Sequence, residues 1–279
     1  MNTATDTIRR PSVAGQFYPG DPPGLEREVE RCLEGVPAEG RRALAVMVPH
    51  AGLVYSGECA AQVFGRIAWP EVVVILAPNH TGLGAFGRAS IWCHGAFSTP
   101  LGAVAIAEEV AAELIAATPL VACDWSAHRR EHAIEVELPF LQILSPASRM
   151  VPLVVSWDDW GRSAELAGAL AGVAAARPGQ ILLVASSDMT HYEPADSAAR
   201  KDRLALERIE HLDGGGLLGV CHRNGISMCG RAPAAAVIEA ARRLGATRGE
   251  LVDYRHSGLV AGDDREVVSY AGVLFEGGR

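Results

Sequence analysis

Short, continuously apolar stretches alternate along the chain with longer ones whose apolar positions recur at helical spacing. The first kind comprises "LAVMVP" (44–49), "VVVILAP" (72–78), "VPLVVS" (151–156), "ILLVASSD" (181–188) and "VVSYAGVLFE" (267–276). Apolar runs of this length predict strands covered on both faces. The second kind comprises "GECAAQVFGRI" (57–67), "AVAIAEEVAAELIAA" (103–117), "RSAELAGALAGVAAA" (162–176), "SAARKDRLALERIEHL" (197–212) and "APAAAVIEAARRLG" (232–245), each predicted to be a helix. "EHAIEVELPFLQIL" (131–144) also reads as helical, with Pro139 as a kink or internal boundary. Strands alternating with helices predict an α/β fold with a mixed or mostly parallel central sheet flanked by helices. No repeat, low-complexity tract or long linker divides the chain, so a single domain over residues 1–279 is expected.

Composition narrows the function classes. Hydrophobic residues make up 49% of the 279 and charged residues 21%, which supports a sizeable core and argues against disorder. The net charge is −8 and Lys201 is the single lysine, whereas a duplex-binding surface needs clustered cations. Nucleic acid is therefore a poor partner. No window approaches the length of a membrane span and the N-terminus lacks the apolar core of a secretory signal, so the expectation is a cytoplasmic protein without a membrane partner. Cys32, Cys59, Cys93, Cys123, Cys221 and Cys229 form no CxxC pair and are expected to be mostly free thiols.

Candidate chemistry collects at strand ends, where open α/β sheets bind ligands. "VPHAGLVYSG" places His50 after the first strand, "LAPNHTGLG" places His80 after the second, and "SSDMTHYEP" places Asp188 and His191 after the fourth. In "GISMCGRAP", Cys229 stands just before a helix start, where unsatisfied backbone N–H groups favour a thiolate. Two neutral imidazoles and one anionic ligand bind a divalent transition metal and leave coordination positions open. Asp188, Glu135 and Cys229 are candidates for the anion, and His191 is either a third imidazole ligand or an acid/base. The residues by themselves leave these options open.

Six motifs, "VAGQFYPGD", "VPHAGLVYSG", "APNHTGLG", "EHAIEVELPFL", "SSDMTHY" and "SMCGRAP", occur in the order and approximate spacing of the Memo family. The resemblance runs from about residue 10 to residue 274. Microbial members of that family accompany AMMECR-type and radical SAM proteins, which the resemblance therefore implies as partners. It implies a fold similar to the class III, LigB-type extradiol dioxygenases, which use non-heme iron. It further implies His50, His80 and Cys229 as metal ligands, with Asp188 and His191 beside them as catalytic residues, Asp188 orienting His191. The dioxygenases use a glutamate where this chain has Cys229, and a thiolate makes the site softer. One transition metal ion is expected, iron or copper ahead of zinc. Eukaryotic members carry an additional histidine in the second motif, which here reads "APNHTG" and leaves His80 as the donor.

Other residues carry weaker expectations. Glu131 and Glu135 share a helix face, either as solvated first-turn acids that complement the helix dipole or, for Glu135 and for His132, as the wall of the substrate pocket. Tyr18, Tyr55, Ser56 and Arg231 are further pocket candidates, Arg231 either holding a substrate carboxylate or capping carbonyls. His128 is a marginal site candidate, and "DGGGLLG" (213–219) lacks the context of a phosphate loop. The leading expectation is a metal-dependent, dioxygenase-like oxidoreductase acting on an undefined small molecule or peptide. The alternatives are a non-catalytic adaptor that keeps the pocket, and a metal-dependent hydrolase using the same ligands.

Overall fold

The computed structural model describes residues 7–84 and 87–277. The chain begins with β1 (Ile8–Arg9), α1 (Pro22–Leu33), β2 (Ala45–Val48), α2 (Leu53–Phe64) and β3 (Val72–Pro78). Next come β4 (Ala89–Ile91), β5 (Ala96–Thr99), β6 (Gly102–Ala105), α3 (Glu108–Ala117), β7 (Val121–Cys123), α4 (Ala133–Leu144), β8 (Arg149–Val155) and α5 (Trp160–Ala175). The last third contains β9 (Ile181–Ser186), β10 (His191–Glu193), α6 (Ala195–Glu210), α7 (Gly214–Asn224), α8 (Arg231–Arg243), β11 (Ala246–His256), α9 (Gly258–Ala261) and β12 (Val267–Gly277).

The main sheet has the order β10-β12-β2-β9-β3-β8-β4-β7, with β11 paired to β12. Its centre, β2-β9-β3-β8, is parallel throughout, while β12 and β4 flank it antiparallel, so the sheet is mixed. Every residue of β2, β3 and β9 is buried, which explains why their sequences show no alternation. Helices α1, α2 and α4 pack together against β2, β3 and β12, and α5, α7 and α8 form a second group on β9 and β3. The result is one α/β domain, as expected, and no helix of the described residues is long and apolar enough to cross a membrane.

Three local expectations need correction. The helix expected over 103–117 begins only at Glu108, because residues 102–105 pair with β5 in a hairpin whose turn uses Gly102 at φ 121°. Pro139 does not end α4, which continues to Leu144. Cys93 and Cys123 are not free: the parallel pairing of β4 with β7 brings them to a Cα separation of 5.7 Å and they form a disulfide, leaving four free cysteines.

Candidate metal centre

Parallel strands end on the same edge, so β2, β9 and β3 deliver their following residues side by side. His50 follows β2, Asp188 follows β9 and His80 follows β3, each two residues past its strand. Asp188 Oδ1 accepts the backbone N–H groups of His50 (2.9 Å) and Ala51 (3.3 Å), which fixes the turn after β2. His50 Nδ1 lies 2.8 Å from Ser186 Oγ, and its Nε2 lies 3.3 Å from Cys229 Sγ. Cys229 reaches this position because Gly230 packs against the end of β9. A Cβ there would collide with the Ser186 carbonyl, and the Gly230 N–H donates to Ser187 Oγ at 2.9 Å.

Arg231 does not face the histidines. Its Nη1 points to the carbonyls of Ile226 (3.5 Å) and Met228 (3.4 Å), and its remaining nitrogens pair with Asp158. Of the two roles expected for it, the carbonyl cap is the one observed. Arg231 and Cys229 line a separate cavity of 780 Å³ behind the thiol.

His80 is held by a residue whose importance was hidden in the sequence. Glu131 is 2% exposed, not a solvated first-turn acid. Its Oε1 meets His80 Nδ1 at 2.8 Å and accepts the N–H groups of His132 (3.0 Å) and Ala133 (3.1 Å), while Oε2 accepts the His80 N–H at 2.7 Å. Burial would raise the Glu131 carboxyl, but the hydrogen bond and charge of His80 outweigh it and hold the group at about 2. Burial likewise pulls His80 down, and the Glu131 carboxylate outweighs it, leaving the imidazole raised. His50 and His132 are lowered, in both cases mainly by burial. The partner of Glu131 is 51 residues away, so no local pattern announces the pair.

The donor atoms of His50, His80 and Cys229 all lie within 4.8 Å of one another. Metal–nitrogen bonds near 2.0 Å and metal–sulfur bonds near 2.3 Å place donors roughly 3–4 Å apart in a tetrahedral site, so the set fits a transition ion after small adjustments. His80, Glu131 and His132 form a second possible set. In that set the Glu131 oxygens are already committed to four N–H groups, which makes it the poorer fit. The expectation of a lowered thiol pKa at Cys229 is reversed. Burial, with the Asp188 charge beside it, pushes the thiol well above its ordinary value, and the nearby N–H of Gly230 only partly offsets this. Asp188 itself is raised by burial, against the N–H groups it accepts.

The histidines open onto a cavity of 480 Å³ lined by His50, His80, His132, Asp188 and His191, with Phe17, Tyr55, Tyr192 and Tyr270 as aromatic walls. The rings of His80 and His132 stack at 4.6 Å and Phe17 lies 4.8 Å from His132. His191 is placed at this wall by a hydrogen bond from its N–H to Ser227 Oγ (2.8 Å), and its buried Nδ1 has no partner among the described residues. No hydrogen bond joins it to Asp188 among those residues; the expected orienting contact is replaced by the grip of Asp188 on the His50 turn.

Glu135 and Tyr18 are not pocket residues. The Tyr18 hydroxyl donates to the buried Glu135 at 2.5 Å, and Glu135 also pairs with the buried Arg9 and accepts from the backbone N–H groups of the half-buried Ser12 (2.8 Å) and Val13 (3.0 Å). Arg9 binds the carbonyls of His128 (3.0 Å) and Glu131 (2.5 Å) as well, so this buried knot braces the loop that carries Glu131 and His132. His128 is buried against the Ser90 carbonyl, away from the cavity.

A mixed α/β sheet whose parallel centre carries a cluster of two imidazoles and a thiol defines an α/β protein with a candidate His/His/Cys metal centre. The chain belongs to the Memo-like protein family, whose profile matches residues 9–274. It is 42% identical to a MEMO1 family protein of Methanopyrus kandleri, an alignment covering 97% of this chain and 99% of that protein. It is 40% identical to a MEMO1 family protein of Aquifex aeolicus, over 96% of this chain and 99% of that one. The fold is similar to that of an uncharacterized Escherichia coli K12 protein solved by crystallography, with a TM-score of 0.52 and 16% identity, covering 81% of this chain and 98% of the other.

Proposed function

We propose that this protein is a mononuclear, transition-metal-dependent enzyme of oxidoreductase type, with iron or copper held by His50, His80 and Cys229. The observation that carries the reading is the convergence of these three donors, within 4.8 Å of one another, beside a cavity that also presents His132 and His191. Iron or copper bound there supplies redox and O₂-binding chemistry together with Lewis acidity. The protein supplies orientation: Glu131 and Ser186 engage the Nδ1 atoms of His80 and His50, which leaves both Nε2 atoms for the site. His191, whose buried Nδ1 has no hydrogen-bond partner among the described residues, takes up or returns a substrate proton. The aromatic walls suit a small organic substrate with an apolar or aromatic portion. Partnership with AMMECR-type and radical SAM proteins is proposed on the family resemblance, and co-purification tests it.

The function is tested by metal analysis of anaerobically purified protein together with an O₂-uptake assay. Iron or copper near one ion per chain, absent from Cys229→Ala, is expected. A wild-type protein that retains no transition metal would overturn the reading, and turnover that needs zinc and no O₂ would replace it with hydrolysis.

A further inference from the structure

Helix α6 buries a stripe made of Ala198, Asp202, Ala205, Leu206 and Ile209, and one member of that stripe carries a carboxyl group. Asp202 is fully buried, where an aliphatic side chain would pack without a polar group to satisfy. Each of its oxygens accepts two hydrogen bonds instead. Oδ1 takes both the backbone N–H (3.1 Å) and the hydroxyl (2.6 Å) of Thr190, and Oδ2 takes the hydroxyls of Tyr254 (2.8 Å) and Ser269. The Thr190 carbonyl accepts the Ser269 N–H at 3.0 Å, and the Met189 N–H donates to the Ser269 carbonyl at 2.8 Å. This network therefore closes on the residue that immediately precedes His191, although Asp202 itself does not line the cavity.

We infer that Asp202 is a positioning residue for His191, acting through Thr190. The inference rests on the reading of His191 as the acid/base and names what aims it. Two of the four bonds to Asp202 come from Thr190, so they fix where the backbone of His191 departs. Beyond His191 the same helix grips the chain again: Lys201 Nζ donates to Glu193 Oε1 (2.5 Å) and to the Gly225 carbonyl (3.2 Å). Between the two ties Tyr192 sits at φ 57°, a left-handed conformation that a bulky residue keeps only where its surroundings over-determine it. The Ser227 hydroxyl takes the His191 N–H from a third side at 2.8 Å. Clamped in this way, His191 reaches the cavity that His50 and His132 also line.

NMR of the full chain tests this, metal-free and loaded anaerobically with cobalt(II), on wild type, Asp202→Ala and Asp202→Asn, with thermal stability measured for each. In metal-free Asp202→Ala the Thr190 and His191 amides should lose about five- to tenfold in hydrogen-exchange protection, beyond any loss shared by the amides of β3, as expected for one net hydrogen bond. The His191 ring resonances should move or broaden with them. Asp202→Asn keeps an oxygen for Thr190 and turns its NH₂ to the Tyr254 and Ser269 hydroxyls, which can accept. The His191 resonances should therefore return to their wild-type positions in that variant, whatever its Tm. In the cobalt form, the metal-induced shift of the His191 ring should change in Asp202→Ala and be restored in Asp202→Asn. Protection lost evenly across the chain, with the His191 resonances unmoved, would overturn the inference and leave Asp202 a packing residue. A cobalt-loaded wild type without a metal-induced shift at His191 would overturn the acid/base reading alone, because the exchange measurement needs no metal. Should Asp202→Ala not fold, Thr190→Val removes the hydroxyl bond at nearly constant shape, and unmoved His191 resonances there would overturn the inference equally.

Discussion

Replacing Glu131 with glutamine removes one charge and turns one acceptor into a donor at nearly constant shape. In the native site the carboxylate receives four N–H groups, from the His80 ring and backbone and from His132 and Ala133. The amide can keep its oxygen at the Oε1 position, where three of these converge, but its NH₂ then faces the His80 backbone N–H. One buried donor left unpaired costs about 1–3 kcal/mol, and the remaining bonds weaken from charge-assisted to neutral, so a total near 2–4 kcal/mol is expected. In a domain of this size that lowers Tm by roughly 3–7 °C. The ring of His80 also loses the carboxylate that holds its Nδ1 proton, so metal affinity should fall about 10–100-fold. Calorimetry of the metal-free protein and cobalt titration measure the two effects separately. An affinity within about twofold of wild type, alongside the stability loss, would refute the orienting role and leave Glu131 as a loop brace only.

The same pair shapes the pH dependence of metal-free stability. Glu131 is held near 2, below an unfolded value of about 4.3, so its contribution is complete above that value and lost as pH falls toward 2. His80 is raised above about 6.5, so its contribution is complete below that and lost as pH rises through the folded value. Denaturant titrations should therefore show the gap between wild type and Glu131→Gln widest at about pH 4.5–6.5, and a gap independent of pH would contradict the pairing. Arg9→Met leaves Glu135 charged in the interior and should cost about 3–5 kcal/mol, read by urea unfolding; a cost below about 1 would show that the knot is dispensable. Thiol counting by mass spectrometry after denaturation should find four free thiols before reduction, with Cys93 and Cys123 joined, and six free thiols would contradict the pairing.

Much of this architecture is legible in the chain because burial on both faces writes itself as unbroken apolar runs. Strands β2, β3, β8 and β9 are readable that way, and once they are taken as parallel, His50, His80 and Asp188 fall on one edge. What stays hidden depends on long-range pairing. The short strands β4 to β7 carry little pattern of their own and exist because they pair with β8 and with one another. Helix α7 begins in a triple glycine, a poor helix start by propensity, but Asp213 caps it at 2.7 Å and Leu217, Leu218 and Cys221 bury its face. Among the site residues, ligand candidates announce themselves by type and position, whereas their supports do not. Glu131, Glu135 and Glu137 lie in one helix-like motif and look interchangeable. The first two take their partners, His80 and Arg9, from elsewhere in the chain, and Glu137 has no hydrogen-bond partner among the described residues. Cys229 shows the same limit, since its helix-start position suggested a low pKa and the packing around it produces the opposite.

The central claim is that His50, His80 and Cys229 hold one transition metal, and anomalous diffraction across the iron, copper and zinc edges on anaerobically grown crystals tests it most directly. The expected result is a single peak bonded to His50 Nε2, His80 Nε2 and Cys229 Sγ at about 2.0–2.3 Å, at the iron or copper edge. A peak among His80, Glu131 and His132 instead, or no peak in protein whose Cys229 remains reduced, would contradict it.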